Sequence, residues 1–318
     1  MHWPLFAFVL ALGISYLATP QVRKLAVRLN VMVQPGGRRV HTRPMPLWGG
    51  IAIFGAFAFT SLIVTKLGVD PALKAPILGV VVAGALVLTV GMLDDMKEFS
   101  AAIQALLIVG AAIVLMTFGV KIQFLSNPLH PTMLALPKML SWLLTIIWVF
   151  AITKTVDFMD GLDGLAAGIG AIAAGILAIM AGYSAQPHVA LMAAALSGAC
   201  IGFLRFNFNP AKIFMGTGGS QFIGFALAAI SIVGAFKVAT AIAIALPILV
   251  FGVPIFDAIF VVAKRFMDKR PVHVADQSHL HHRLLRRGLS HKQVVLVIYL
   301  FCILAGGAAL ALLLWSRR

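Results

Sequence analysis

The chain has 318 residues, 61% of them hydrophobic and 11% charged, with 25 Lys and Arg against 10 Asp and Glu. No hydrophilic stretch is long enough for a soluble appendage, so one integral membrane domain over 1–318 is expected. The +15 net charge lies in short juxtamembrane loops, which makes membrane lipids and phosphates the expected partners and excludes nucleic acid.

Apolar runs at or near the ~20 residues that a spanning helix needs predict ten helices. They cover 3–19, 47–65, 75–93, 101–118, 139–156, 164–182, 188–206, 218–236, 239–263 and 293–315. The first has no positive segment before it and is followed by Arg23, Lys24 and Arg28, so it reads as a retained helix with its N-terminus outside. That start places most of the Lys and Arg in inner loops: Arg23 to Arg43, Lys97, Lys154, Arg205, Lys212 and Lys264 to Lys292. The positive-inside rule is then satisfied. Trp3, Trp48, Trp142 and Trp315 fall near helix ends, as interfacial anchors do. Cys200 and Cys302 fall inside predicted helices, so no disulfide is expected. The expected fold class is an all-α polytopic membrane protein of about ten transmembrane helices, with its active-site loops on the cytoplasmic side.

Only Asp70 is left outside; the other acids lie within, most of them at short polar interruptions. Asp94 and Asp95 are adjacent, and two neighbouring carboxylates repel unless a cation stands by; a solvated loop is the plainer alternative. Asp157, Asp160 and Asp163 are spaced i, i+3, i+6, which in helical geometry puts like charges on one stripe. Gly161 and Gly164 would bend the chain there and let a ligand approach the backbone. The run from Arg205 to Ser220 ends in Gly216, Gly218 and Gly219 before the eighth helix, a backbone cradle suited to phosphate. Asp257 follows, and then Asp276 leads into His279, His281, His282 and Arg283, a group fit for phosphate binding or proton transfer. A transporter would spread its acids through the midplane; these gather at one face.

These residues, in this order, resemble the motifs of the polyprenyl-phosphate N-acetylhexosamine-1-phosphate transferases. The matching stretches are Asp94–Asp95, Asp160 to Gly168, Asn207 to Ser220, and the His-Leu-His-His-Arg-Leu run from His279. Arg39, His41 and Pro46 to Gly50 look like the family's first loop. The resemblance implies transfer of GlcNAc-1-phosphate from UDP-GlcNAc to undecaprenyl phosphate, giving UMP, as the lipid-linked first step of a cell-envelope glycan. It places the enzyme in the bacterial cytoplasmic membrane, facing the cytoplasm, and implies Mg²⁺, or Mn²⁺, as cofactor. Dimerisation is left open. By resemblance, Asp94, Asp95 and Asp160 are catalytic and the first two orient or deprotonate the lipid phosphate. Asp163, Asn207 and Phe214 line the uridine pocket, while His279, His281, His282 and Arg283 engage the sugar or pyrophosphate.

The chain departs from the family at four positions. Thr217 stands where the family has Asp, Asp157 and Lys154 where it has Asn, and Gln104 where it has Lys. Formal site charge is unchanged, so the metal is expected on Asp157 with the Thr217 hydroxyl, and phosphate binding on Lys154. The alternatives are a degenerate paralogue that binds without turnover, or a transferase of another UDP-N-acetylhexosamine. The topology gives a direct test. Cysteines placed at 70 and 130 are expected to react with an impermeant reagent from outside, and cysteines at 97, 160, 212 and 280 are not; outside labelling at any of the latter four would break the one-sided site.

Overall fold

The computed structural model describes residues 2–34, 44–66, 71–126, 133–234, 251–267 and 279–315. Arg39, His41, Asp70 and Asp276, singled out above, lie outside these residues. The helices are α1 (His2–Arg28), α2 (Gly50–Lys66), α3 (Pro71–Lys97), α4 (Ala101–Thr117), α5 (Lys138–Phe158), α6 (Leu165–Tyr183), α7 (Pro187–Asn207), α8 (Gly216–Val233), α9 (Gly252–Met267), α10 (Leu280–Arg286) and α11 (His291–Trp315). Seven of them, α1, α3, α5, α6, α7, α8 and α11, are long and apolar enough to cross a membrane, and α2 and α4 are shorter apolar helices. The chain is an all-α polytopic membrane protein. The ninth expected span, 239–263, begins outside the described residues, and α9 is its described part.

Two small strand pairs interrupt the helical pattern: β1 (Met32–Val33) with β2 (Met45–Pro46), and β3 (Phe124–Ser126) with β4 (Met133–Ala135), both antiparallel. Helix ends differ from the hydropathy limits where polar residues extend a helix into the interface. α1 continues through Pro20 to Arg28, since a proline removes only one backbone donor and its neighbours keep theirs. α3 runs on to Lys97, so Asp94 and Asp95 sit on its last turns rather than in a loop. α5 ends at Phe158 and α6 starts at Leu165, with Gly164 at φ +82° between them. Asp157 is therefore helical while Asp160 and Asp163 are not, and the expected single stripe of three aspartates is a helix end plus a turn.

α7 packs against α1 and α6, and α8 against α3 and α5. α8 is the most buried of the seven candidate spans, and its first turn is nearly bare of side chains. A methyl group at Gly50 would strike the backbone of Gly219, and one at Gly91 the backbone of Gly218. Small residues here let three helices touch backbone to backbone, as close packing in a membrane requires. A second apolar cluster, Met159, Leu162, Leu165 and Ile169 with Val294, Val295 and Ile298, seats the aspartate turn on α11. The Tyr299 hydroxyl completes this seat by donating to the Gly164 carbonyl at 2.5 Å.

The glycine contacts predict a contrast. Gly91→Ala meets unyielding backbone and is expected to destabilise the bundle by about 1–3 kcal/mol. Gly110→Ala on α4, with nothing within 4 Å, is expected to be neutral or stabilising. Unfolding of the detergent-solubilised variants compares them; equal stability would show that α3 and α8 separate freely.

Candidate active site

The C-terminal ends of α3, α5 and α7 and the N-terminal ends of α8 and α11 meet around a cavity of ≈ 570 Å³. That lies in the range of ~300–1,000 Å³ typical of small-molecule sites. Its wall includes Asp94, Asp95, Asp157, Asp160, Asp163, Asn207, Phe214, Thr217 and His282, all anticipated above, together with Gln104, Ser220 and His291. Lys154, His279, His281 and Arg283, also expected to contact substrate, are not in that wall.

Asp95 faces the start of α8. Its Oδ1 accepts a hydrogen bond from the Thr217 N–H at 2.8 Å, a carboxylate at the positive end of a helix. Its Oδ2 is buried with no partner. Gly216, at φ +76°, has no side chain because one would collide with that carboxylate. Asp94, one residue earlier, is fully engaged. Oδ1 accepts from the Phe99 N–H at 2.7 Å, and the Gln104 amide donates to Oδ1 at 3.1 Å and Oδ2 at 3.0 Å.

Gln104, Lys154 and Asp157, three of the four departures, are in contact. Lys154 Nζ donates to Gln104 Oε1 at 2.9 Å and to Asp157 Oδ2 at 2.6 Å. Asp157 Oδ1 accepts from the Ser220 hydroxyl at 2.7 Å, and Oδ2 also from the Gln221 amide at 3.2 Å. The Ser220 hydroxyl also lies 3.2 Å from the backbone carbonyl of Thr217, a contact independent of the side chain at 217.

Asp160 accepts no hydrogen bond from any described residue. Its setting among protein atoms first, and then Asp157, Asp95 and Asp163, raise its pKa to about 8. The residue is exposed along the cavity, so water screens part of this and the three carboxylates fix the direction. Asp163 and Asn207 are used by the fold as well as by the wall. Asp163 Oδ2 accepts from the Asn209 amide and the Ala211 N–H, both at 3.0 Å. Asn207 Oδ1 accepts from the Gly164 N–H at 3.1 Å and its amide donates to the Ile213 carbonyl at 3.0 Å. These bonds shape the loop that presents Phe214, whose own backbone pairs with Pro46 and Gly49.

The histidine run divides by function because it starts a helix, whose successive residues point in different directions. His279 Nδ1 lies 2.8 Å from Asp257 Oδ2, and Asp257 Oδ1 accepts from the Leu280 N–H at 2.6 Å, so Asp257 anchors the start of α10. His281 is buried against Gly161, and burial first, then the neighbouring His282 and His279, lower its pKa to about 3. A neutral, enclosed ring offers a phosphate no charge; it fills the space that a side chain at Gly161 would take, while Gly161 itself lines the cavity. Arg283 stacks over Phe260 at 4.5 Å. Of this group only His282 reaches the cavity, joined there by His291, whose Nε2 accepts from the Asp163 N–H at 3.0 Å. Nothing marks His291 in the sequence beyond a polar residue at an inner helix boundary. Ser220 is contained in the glycine-rich run, but its reach to Asp157 is a matter of tertiary placement.

Among the described residues, no group of three or more His, Cys, Asp or Glu could hold a metal alone. Mg²⁺ needs less: it keeps several waters and takes one or two carboxylates with substrate phosphates. The orphaned oxygen of Asp95 and the unpaired carboxylate of Asp160 are hard donors fit for such an ion.

Residues 77–235 match the sequence model of glycosyl transferase family 4. A Bacillus subtilis (strain 168) protein named probable undecaprenyl-phosphate N-acetylglucosaminyl 1-phosphate transferase is 35% identical over 295 residues, covering 92% of this chain and 80% of that one. The decaprenyl-phosphate N-acetylglucosaminephosphotransferase of Mycobacterium tuberculosis (strain ATCC 25618 / H37Rv) is 37% identical over 323 residues, 93% of this chain and 79% of that one. The undecaprenyl-phosphate alpha-N-acetylglucosaminyl 1-phosphate transferase of Escherichia coli (strain K12) is 25% identical over 282 residues, 87% and 75% of the two chains. With the family model matched over 77–235 and a relative 35% identical across 92% of this chain, the chain belongs to glycosyl transferase family 4.

Proposed function

We propose that this membrane transferase moves GlcNAc-1-phosphate from UDP-GlcNAc to a polyprenyl phosphate, undecaprenyl phosphate being the acceptor expected from the sequence. The observation that carries the proposal is the carboxylate-walled cavity at one end of the helical bundle, in a chain whose relatives are named for that transfer. The two substrates come from different phases, a soluble nucleotide and a lipid, and only a site at the membrane surface meets both. The Lys- and Arg-rich loops support a cytoplasmic position for that surface, in a bacterial cytoplasmic membrane.

In the reaction an oxygen of the lipid phosphate forms a bond to the sugar-bearing phosphorus of UDP-GlcNAc. The bond from that phosphorus to the bridging oxygen breaks, and UMP leaves with the electron pair. A phosphate monoester has its second pKa near ~6, so at neutral pH most acceptor molecules have already lost the proton. The aspartates are therefore needed less as bases than as anchors and cation holders. Mg²⁺, when bound, offsets the negative charge gathered by two phosphates and a pyrophosphate. We assign Asp95 and Asp160 as its first protein ligands, since their oxygens are unpaired. Asp157 and Thr217, the pair expected from the sequence, border the same cavity, and Asp157 Oδ1, which accepts only from Ser220, keeps a lone pair with which it could join the ion. His282 and His291 are placed to meet sugar or phosphate oxygens, with Phe214 as a face for the uracil.

Purified protein with UDP-GlcNAc, undecaprenyl phosphate and Mg²⁺ is expected to release UMP. Nucleotide binding without UMP release would identify a binder that does not turn over. The cation assignment has its own pH test. Below its pKa of about 8, Asp160 holds a proton that competes with a cation; above it the carboxylate is free. Mn²⁺ binding, followed by electron paramagnetic resonance, is expected to tighten as pH rises through about 8, and Asp160→Asn to flatten that rise. An unaltered pH profile in the variant would remove Asp160 from the metal site.

A further inference from the structure

We propose that Lys154 is a positioning residue that, from behind the cavity wall, ties Asp94 and Asp157 into one hydrogen-bonded unit through the Gln104 amide. The inference rests on the transfer reaction proposed above and assigns a role within it. Lys154 was expected to bind phosphate, but Gln104 and Asp157 line the cavity and Lys154 does not. Its ammonium is held on three sides: by Gln104 Oε1 at 2.9 Å, by Asp157 Oδ2 at 2.6 Å, and over the Phe158 ring at 5.4 Å from the centroid.

The direction of the chain follows from what each group can do. An ammonium only donates and a carboxylate only accepts, so the amide between them has one consistent orientation. Oε1 faces Lys154 and Nε2 faces Asp94, where it reaches both oxygens at 3.1 and 3.0 Å. The network continues from Asp157 to Ser220 and Gln221, so it joins α3, α4, α5 and α8. Linked donors and acceptors of this kind polarise one another and hold more firmly than separate pairs. Without the ammonium, Gln104 Oε1 loses its donor and Asp157 Oδ2 keeps only the 3.2 Å bond from Gln221. The link between the two wall carboxylates would then be broken and Asp157 held less firmly, although the residue removed lies behind the wall.

The test uses full-length protein, UDP-GlcNAc, undecaprenyl phosphate and Mg²⁺, with kcat and both KM values read from UMP release. No release by the wild type would overturn the transfer reading itself and is thereby distinguished from failure of this inference. With an active wild type, Lys154→Met is expected to lower kcat about 10–100-fold. Both KM values should stay within about threefold, because bound substrate meets the same wall groups. Lys154→Arg, which still donates to both partners, is expected to recover most of the loss. Gln104→Met should reproduce the kcat loss, and the double variant should be no worse than the poorer single one, since both act through one chain. Three results would overturn the proposal: wild-type kcat in Lys154→Met, a loss confined to KM, or losses that multiply in the double variant. Should Lys154→Met not fold, Gln104→Met decides alone, a kcat-selective loss supporting the role and a wild-type kcat refuting it.

Discussion

Four glycines, Gly50, Gly91, Gly218 and Gly219, allow the first turn of α8 to lie backbone to backbone against α2 and α3. That approach brings the N–H of Thr217 within 2.8 Å of Asp95 and aims the positive end of α8 at the end of α3. One turn later Ser220 and Gln221 arrive at Asp157 on α5. The glycine-rich run thus does more than offer free N–H groups to a phosphate. It sets the distance between helices and so the spacing of the carboxylates. A single added methyl group here displaces main chain rather than a flexible side chain, and the wall of the cavity would shift with it.

The aspartates around the cavity fall into three physical situations. Asp163, and Asp257 outside the cavity wall, support the fold: one fixes the loop through Asn209 and Ala211, the other holds His279 and the start of α10. Asp94 and Asp157 are held by side chains that also reach each other. Asp95 Oδ2 and Asp160 are left without donors. A carboxylate left unpaired among protein atoms either holds a proton or attracts a cation. Residues of the same type, a few positions apart, therefore serve as scaffold, as oriented wall or as cation seat according to the donors around them.

The sequence made the membrane class, the one-sided clustering of acids and most cavity residues legible, because hydropathy and charge are local signals. Asp94, Asp95, Asp160, Thr217 and His282 all reach the cavity as expected. What it could not show is direction. Nothing in the order His279, Leu280, His281, His282 tells that a helix begins at Leu280 and turns His281 onto Gly161, outside the cavity wall. Arg283, expected to engage sugar or pyrophosphate, lies over Phe260 on α9 and outside the cavity wall, a placement its position in the sequence does not show. The even spacing of Asp157, Asp160 and Asp163 promised one helical face, and α5 stops before the second of them. His291, far along the chain, had no motif to mark it and was brought in by the packing of α11 against the aspartate turn.

The departures at Gln104 and Lys154 make sense as an exchange once their separation is known. Two ammonium groups at that 2.9 Å spacing would repel by about 6 kcal/mol at an effective dielectric constant of about 20. The space between Asp94 and Asp157 therefore admits one cation, and its address decides which carboxylate it serves directly. At position 104 a cation would lie against Asp94. At 154 it forms an ion pair with Asp157 and reaches Asp94 only through a neutral amide. On α8 the Thr217 N–H donates to Asp95, so the residue at 217 stands beside that carboxylate, and a neutral threonine adds no second negative charge there. The departures at 104, 154 and 157 constrain one another through side-chain contact, which is a physical reason for those three to occur together.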